Sequence, residues 1–192
     1  MDGQPARKNI ADIVNQVDRM SKWVHELLLC LHPIRGEAEL VEPMTVTQAT
    51  LSSFSTQLAQ SRIQVEFNNQ PTPRVVSNPL LLSQILNSLI AHSVEAMSGG
   101  GKLTIQCSLD DSQQWLHLTI DDTAEGLSRQ QEMIAFKSFY TTRQGRLGIG
   151  LIMVKQIMES FGGDASLTSH EQQGTSMRLT FRVVERRHNA RG

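Results

Sequence analysis

Phe136-Lys-Ser-Phe-Tyr-Thr-Thr-Arg143 runs almost directly into Gly145-Arg-Leu-Gly-Ile-Gly-Leu151. A loop of aromatics, a threonine pair and a cation enters a Gly-x-Gly turn. The turn opens an apolar helix expected over 151–161, which Gly162-Gly163 close. Glycines let backbone N–H groups approach an anion closely, and a helix start adds unpaired donors and the positive end of its dipole. Hydroxyls and a guanidinium can close over a phosphate-bearing ligand held there. A plain flexible turn before a helix would use the same residues. Two familiar phosphate motifs are excluded. A dinucleotide fingerprint needs a third glycine where Met153 stands and a strand immediately before the turn, and a P-loop needs Gly-Lys-Ser/Thr, which occurs nowhere in the chain.

The 192 residues are 39% hydrophobic and 19% charged, with net charge −1. That balance suits an ordinary globular protein with one core and an appendage, and does not call for nucleic acid. Apolar runs are only a few residues long, so no direct membrane insertion is expected. Met1-Asp-Gly-Gln-Pro5 lacks the apolar stretch of a signal peptide. Cys30 and Cys107 are expected as buried free thiols of a cytoplasmic protein.

Outward from the turn, the chain divides into an N-terminal helix and a mixed α and β region. Ile10, Ile13, Val17, Met20, Val24, Leu27 and Leu31 alternate spacings of three and four, the a and d positions of a heptad. The simplest partner for such a seam is a second copy of the helix, so residues 8–31 are expected to dimerise. Packing on its own domain is the other solution. Residues 34–45 read as a linker with a short extended piece at 39–41. A helix is expected over 47–59, a strand over 63–67, a loop at 70–73, and a helix over 80–97 with Pro79 in its first turn. Alternation predicts hairpins at 103–108 with 115–120 and at 164–168 with 176–184. Residues 123–147 read as long and irregular, and 186–192 as a polar tail. Grouped strands and helices predict an α+β fold, a two-layer sandwich with helices on one face of a mixed sheet.

Several stretches in order resemble the boxes of a sensor histidine kinase catalytic, ATP-binding domain, within the GHKL ATPase superfamily. Asn78-Pro-Leu-Leu-Leu-Ser-Gln-Ile-Leu-Asn-Ser-Leu-Ile-Ala-His-Ser-Val-Glu-Ala-Met97 is similar to the N box. Asp122-Thr-Ala-Glu-Gly126 sits where the G1 box, D-x-G-x-G, belongs. Phe136–Arg143 resembles the F box, Gly148-Ile-Gly-Leu151 the G2 box, and Gly174-Thr175 the pair before the last strand. Residues 18–33 resemble the second helix of the family's dimerisation hairpin, making 1–33 a dimerisation segment and 46–185 the catalytic domain. His25-Glu26 mimics the phosphate-accepting H box, but Pro33, Gly36 and Pro43 leave no room for the second hairpin helix that would have to follow. The accepting histidine is therefore expected upstream, and the chain is expected to be a piece or a truncated form of a kinase.

The resemblance implies ATP and Mg²⁺ as ligands. Asp122 would accept from the adenine amino group, with Gly126 and Thr175 at the same edge. Gly148, Ile149, Gly150 and Leu151 would cradle the phosphates. Tyr140, Thr141, Thr142 and Arg143 would form a lid, with Arg143 or Arg146 as a cation over the phosphoryl group. Ser88, His92 and Glu95 occupy N-box positions near the metal. Two departures stand out. His92 replaces the asparagine that supplies oxygen to Mg²⁺, and imidazole suits softer metals; Glu95 or Asn87 would have to compensate. Ala124 replaces the middle G1 glycine, where a Cβ could restrict the turn or narrow the adenine pocket.

The implied function is transfer of the ATP γ-phosphate to a histidine on a dimerisation helix absent from this chain. The implied partners are that helix, a response regulator receiver domain and a second copy of the chain. The alternative is a regulatory pseudokinase that binds ATP weakly or not at all. The implied location is the cytoplasm, in one form as the cytoplasmic part of a membrane-bound sensor.

Overall fold

The computed structural model describes residues 36–68, 70–137 and 150–184, together with helical positions 13, 14, 16, 17, 20, 21 and 24. In chain order the elements are β1 (Glu39–Val41), α1 (Pro43–Ser53), α2 (Ser55–Gln60), β2 (Ile63–Phe67), β3 (Val75–Ser77) and α3 (Pro79–Ala96). After these come β4 (Gly101–Leu109), β5 (Trp115–Asp122), α4 (Arg129–Ile134), α5 (Gly150–Ser160), β6 (Asp164–His170) and β7 (Gly174–Arg182). Five strands form one mixed sheet in the order β2-β4-β5-β7-β6, in which only β2 and β4 run parallel. β1 and β3 make a separate antiparallel pair.

Alternation on β5 sorts the layers. Leu116, Leu118, Ile120 and Asp122 are buried, while Trp115, His117, Thr119 and Asp121 are half-buried on the opposite face. Leu103 and Ile105 of β4 and Met177, Leu179 and Phe181 of β7 join the inner face. Over it lie the apolar stripes of α3 (Leu82, Ile85, Leu86, Leu89, Ile90) and α5 (Met153, Val154, Ile157, Met158), all in one core. The expected two-layer α+β sandwich is thus the observed one. Burial raises the Cys107 thiol to about 12, so it stays protonated at neutral pH. Cys30 lies outside the described residues. At the N-terminus, Ile13, Val17, Met20 and Val24 are each more than half exposed in the single chain.

Three segments differ from the sequence expectation. The helix expected over 47–59 breaks at Phe54 (φ −93°, ψ 0°), whose ring is buried. Just before it, the Ser52 and Ser53 hydroxyls bond back to the carbonyls of Gln48 and Thr50, a competition that weakens helices. In the expected linker the extended piece at 39–41 is β1 as anticipated, but the helix expected from 47 opens earlier, at Pro43, and Val41 and Met44 lie in the core. Within 123–147, Ser128 caps α4 through a reciprocal box with Gln131, a Ser-x-x-Gln signal that the sequence carries.

Asn78 joins the entering chain to α3. Its Oδ1 accepts from the Leu81 N–H at 3.1 Å, capping the helix, and its Nδ2 donates to the Glu37 carbonyl at 3.0 Å. Asn78→Ala should cost about 1–2 kcal/mol, whereas Asn78→Asp keeps the cap acceptor and loses only the bond to Glu37. Thermal denaturation should therefore rank the alanine variant lowest. Equal losses would show that the Glu37 bond, not the cap, carries the stability.

Candidate functional site

The period of β5 turns Asp122 toward the core at the strand's end, where it is 7% exposed. A carboxylate so far from water needs donors. Ser93 Oγ donates to Oδ2 at 2.9 Å, while the N–H groups of Ala124 and Thr175 donate to Oδ1 at 3.1 and 3.3 Å. These donors come from α3, the loop after β5, and β7. Asp122 forms part of the wall of an open cleft of about 570 Å³, together with His92, Ala124, Gly126 and Thr175.

The loop after β5 is held from below by Ser169 of β6, which is 3% exposed. Its Oγ accepts from the Leu127 N–H and donates to the Gly174 carbonyl, both at 2.8 Å, and lies 3.2 Å from Thr175 Oγ1. Gly126 needs its glycine, at φ +74°. Ala124 does not: the non-glycine residues with positive φ among those described are Arg62, Gln113 and Gln172. The turn therefore accepts a Cβ at 124, and the methyl packs against the core at the edge of the cleft. The sequence-based concern that this side chain restricts the turn is not met.

The polar stripe of α3 divides along its length. Ser88 meets the start of α5, its Oγ lying 3.3 Å from where a Cβ on Gly150 would stand, so the N-box helix and the first residue of α5 are neighbours. Gly150 and Leu151 begin α5, with Leu151 packed on the core. His92 lines the cleft, whereas Glu95 is exposed and outside its wall. Asn87 is exposed too, and its Nδ2 donates at 2.9 Å to the Ser83 carbonyl, so it does not take the compensating place beside His92. Among the described residues no group of three or more His, Cys, Asp or Glu could hold a metal ion. With imidazole at 92, this donor set does not match a hard, oxygen-seeking Mg²⁺.

The described wall carries Asp122, Glu125 and Glu171 but no lysine or arginine. Gly150 stands outside that wall, beside Ser88 at the start of α5, where a helix N-terminus suits an anion. Phe136, where the lid stretch begins, packs on the core with Lys155 Nζ 5.4 Å from its ring centroid. Tyr140, Thr141, Thr142, Arg143, Arg146, Gly148, Ile149 and His25 lie outside the described residues. Sequence reasoning missed Ser93 and Ser169. Ser93 had a signal, since it continues the apolar series Ile85, Leu89 at a spacing of four. Ser169 had none.

A helix-backed mixed sheet, with a buried carboxylate in a cleft and a glycine-opened helix beside it, defines a nucleotide-binding domain. The family described as histidine kinase-, DNA gyrase B-, and HSP90-like ATPase matches residues 77–185, and the chain belongs to it. Within that family it is a catalytic ATP-binding domain of the histidine kinase type. It is 25% identical over 181 residues to the sensor histidine kinase ZraS of Escherichia coli (strain K12), covering 94% of this chain and 38% of that protein. The chain thus spans well under half the length of this relative. Full-length ShkA in complex with AMPPNP superposes with TM-score 0.78 at 19% identity, over 96% of this chain and 40% of that one. Histidine kinase ThkA in complex with the response regulator protein TrrA superposes with TM-score 0.79 at 18% identity, over 96% and 53%. At these identities the structural likeness is one of fold. No helix among the described residues is long and apolar enough to cross a membrane.

Proposed function

We propose that this chain is the ATP-binding catalytic part of a two-component sensor histidine kinase. It would pass the γ-phosphate of ATP to a histidine on an H-box helix outside this chain. The observation that carries the reading is Asp122, a buried carboxylate held by three donors in the cleft wall. A fixed acceptor there suits the exocyclic amine of adenine and meets the guanine carbonyl lone pair to lone pair. Gly126 and Thr175 shape the same edge. The backbone of Gly148, Ile149, Gly150 and Leu151 would hold the phosphates.

In the transfer, the bond from the γ-phosphorus to the bridging oxygen breaks, ADP leaves with the electron pair, and the histidine nitrogen bonds to phosphorus. The chain's own contribution is positioning, with Tyr140, Thr141, Thr142 and Arg143 closing over the phosphates and Arg143 spreading their charge. The seam along residues 8–31 would pair two copies, and a response regulator receiver domain would take the phosphoryl group. The ThkA complex with TrrA supports that partner for a protein of the same fold. We place the domain in the cytoplasm.

Titration with ATP and a non-hydrolysable analogue, with and without Mg²⁺, tests the reading. Binding at or below millimolar nucleotide is expected, and none would sink it. A second reading, a regulatory pseudokinase, is favoured by His92 in the cleft. His92→Asn restores an oxygen ligand and should tighten Mg²⁺-dependent ATP binding by about tenfold. An unchanged affinity would show that the imidazole at 92 is not a defect of the metal end.

A further inference from the structure

We infer that Ser93 is a specificity-determining residue of this domain, orienting the Asp122 carboxylate so that it reads the 6-amino group of a purine; this rests on the nucleotide reading above. The first observation is where the hydroxyl goes. A serine or threonine inside a helix ordinarily bonds back to the carbonyl four residues earlier. The hydroxyls of α1 follow that habit, Thr47 to Pro43, Thr50 to Val46 and Ser52 to Gln48. Ser93 instead donates across the layers to Asp122 Oδ2 at 2.9 Å, with both residues buried.

The second observation is how the bonds are shared. The amides of Ala124 and Thr175 both meet Oδ1, which pins one oxygen and leaves rotation about it as the motion to be stopped. Ser93 holds the other oxygen and so helps to set the plane of the carboxylate. It is also the one side chain of the three donors, and so the one that substitution can remove while the backbone stays. The stripe position of Ser93 on α3 would otherwise take an apolar residue, so alanine fits there without a void larger than one hydroxyl. A residue kept only for packing would not distinguish one base from another.

The test uses the full chain and three nucleotides: ATP, GTP and purine riboside triphosphate, which lacks the 6-amino group. Affinities are measured by calorimetric titration for the unaltered protein, Ser93→Ala and Ser93→Thr. The unaltered protein should prefer ATP over the desamino analogue. Ser93→Ala should weaken ATP about tenfold, leave the desamino analogue within twofold, and collapse the preference by the difference. Ser93→Thr, which keeps the hydroxyl, should restore the preference. A uniform loss for every nucleotide in Ser93→Ala, or an unchanged preference, would overturn the role of Ser93 while leaving the ATP site standing. Failure of the unaltered protein to bind any of the three would overturn the nucleotide reading and this inference together.

Discussion

Asp122→Asn is expected to weaken ATP binding by about 100-fold and to leave the domain folded. The asparagine oxygen can still accept from the Ala124 and Thr175 amides, and the Ser93 hydroxyl can turn to accept from the new NH₂ group. The base is treated differently. An acceptor for the adenine amine becomes a donor pointed at a donor, and the charge assistance is lost. A hydrogen bond to a charged group contributes about 1.5–3 kcal/mol, and each 1.4 kcal/mol is a factor of ten. The two effects together put the loss near the top of that range. Calorimetric titration measures the affinity, and a thermal melt confirms the fold. An Asp122→Asn variant that melts like the unaltered protein and binds ATP equally well would show that the base is not read here. Asp122→Ala is the less informative change, because it leaves the buried Ser93 hydroxyl and two part-buried amides without their acceptor and destabilises the domain as well.

Gly174→Ala should destabilise the domain by about 3–5 kcal/mol, at the upper end for single substitutions. Two costs add. At φ +93° the backbone lies in a region that an L side chain enters only with strain of about 1–3 kcal/mol. The added Cβ would also collide with the carbonyl oxygen of Asp122, a backbone atom in the neighbouring central strand that no rotamer change can move aside. Relief requires parting β7 from β5 where Thr175 lies opposite Asp122. The same movement would pull the Thr175 amide off the carboxylate, so stability and nucleotide binding should fall together. At about 2–4 °C per kcal/mol for a domain of this size, the melting temperature should drop by about 6–20 °C. A melting temperature within two or three degrees of the unaltered protein would mean that the β5–β7 pairing is looser than its geometry states.

Much of this could be read along the chain. The apolar character of α3, its Pro79 start and its glycine stop are local signals, as are the alternation of β5 and the order of the glycine boxes. They place Asp122 at a strand end and Gly150 at a helix start before any contact is known. Residues that act across the fold were harder. Ser93 reads as one more position in an apolar series until β5 is laid beneath it, because its partner lies 29 residues away. Ser169 reads as an edge-strand serine until the loop after β5 and the start of β7 are brought to it. Asn87 reads as a candidate metal ligand, and only the helix's rotation about its axis leaves it exposed, bonded within its own helix to the Ser83 carbonyl.

By itself, then, the sequence determined most of the element types and the layer arrangement, and resemblance to the family identified the boxes. The elements and layers follow from periods of two or 3.6 residues and from glycine and proline at turns. Tertiary structure alone decided that the turn accepts Ala124, that Glu95 and Asn87 stand outside the cleft wall, and that Asp122 accepts a hydrogen bond from Ser93. Those outcomes depend on backbone angles, helix rotation and strand register, which are settled by packing among distant residues and leave no mark in the local pattern.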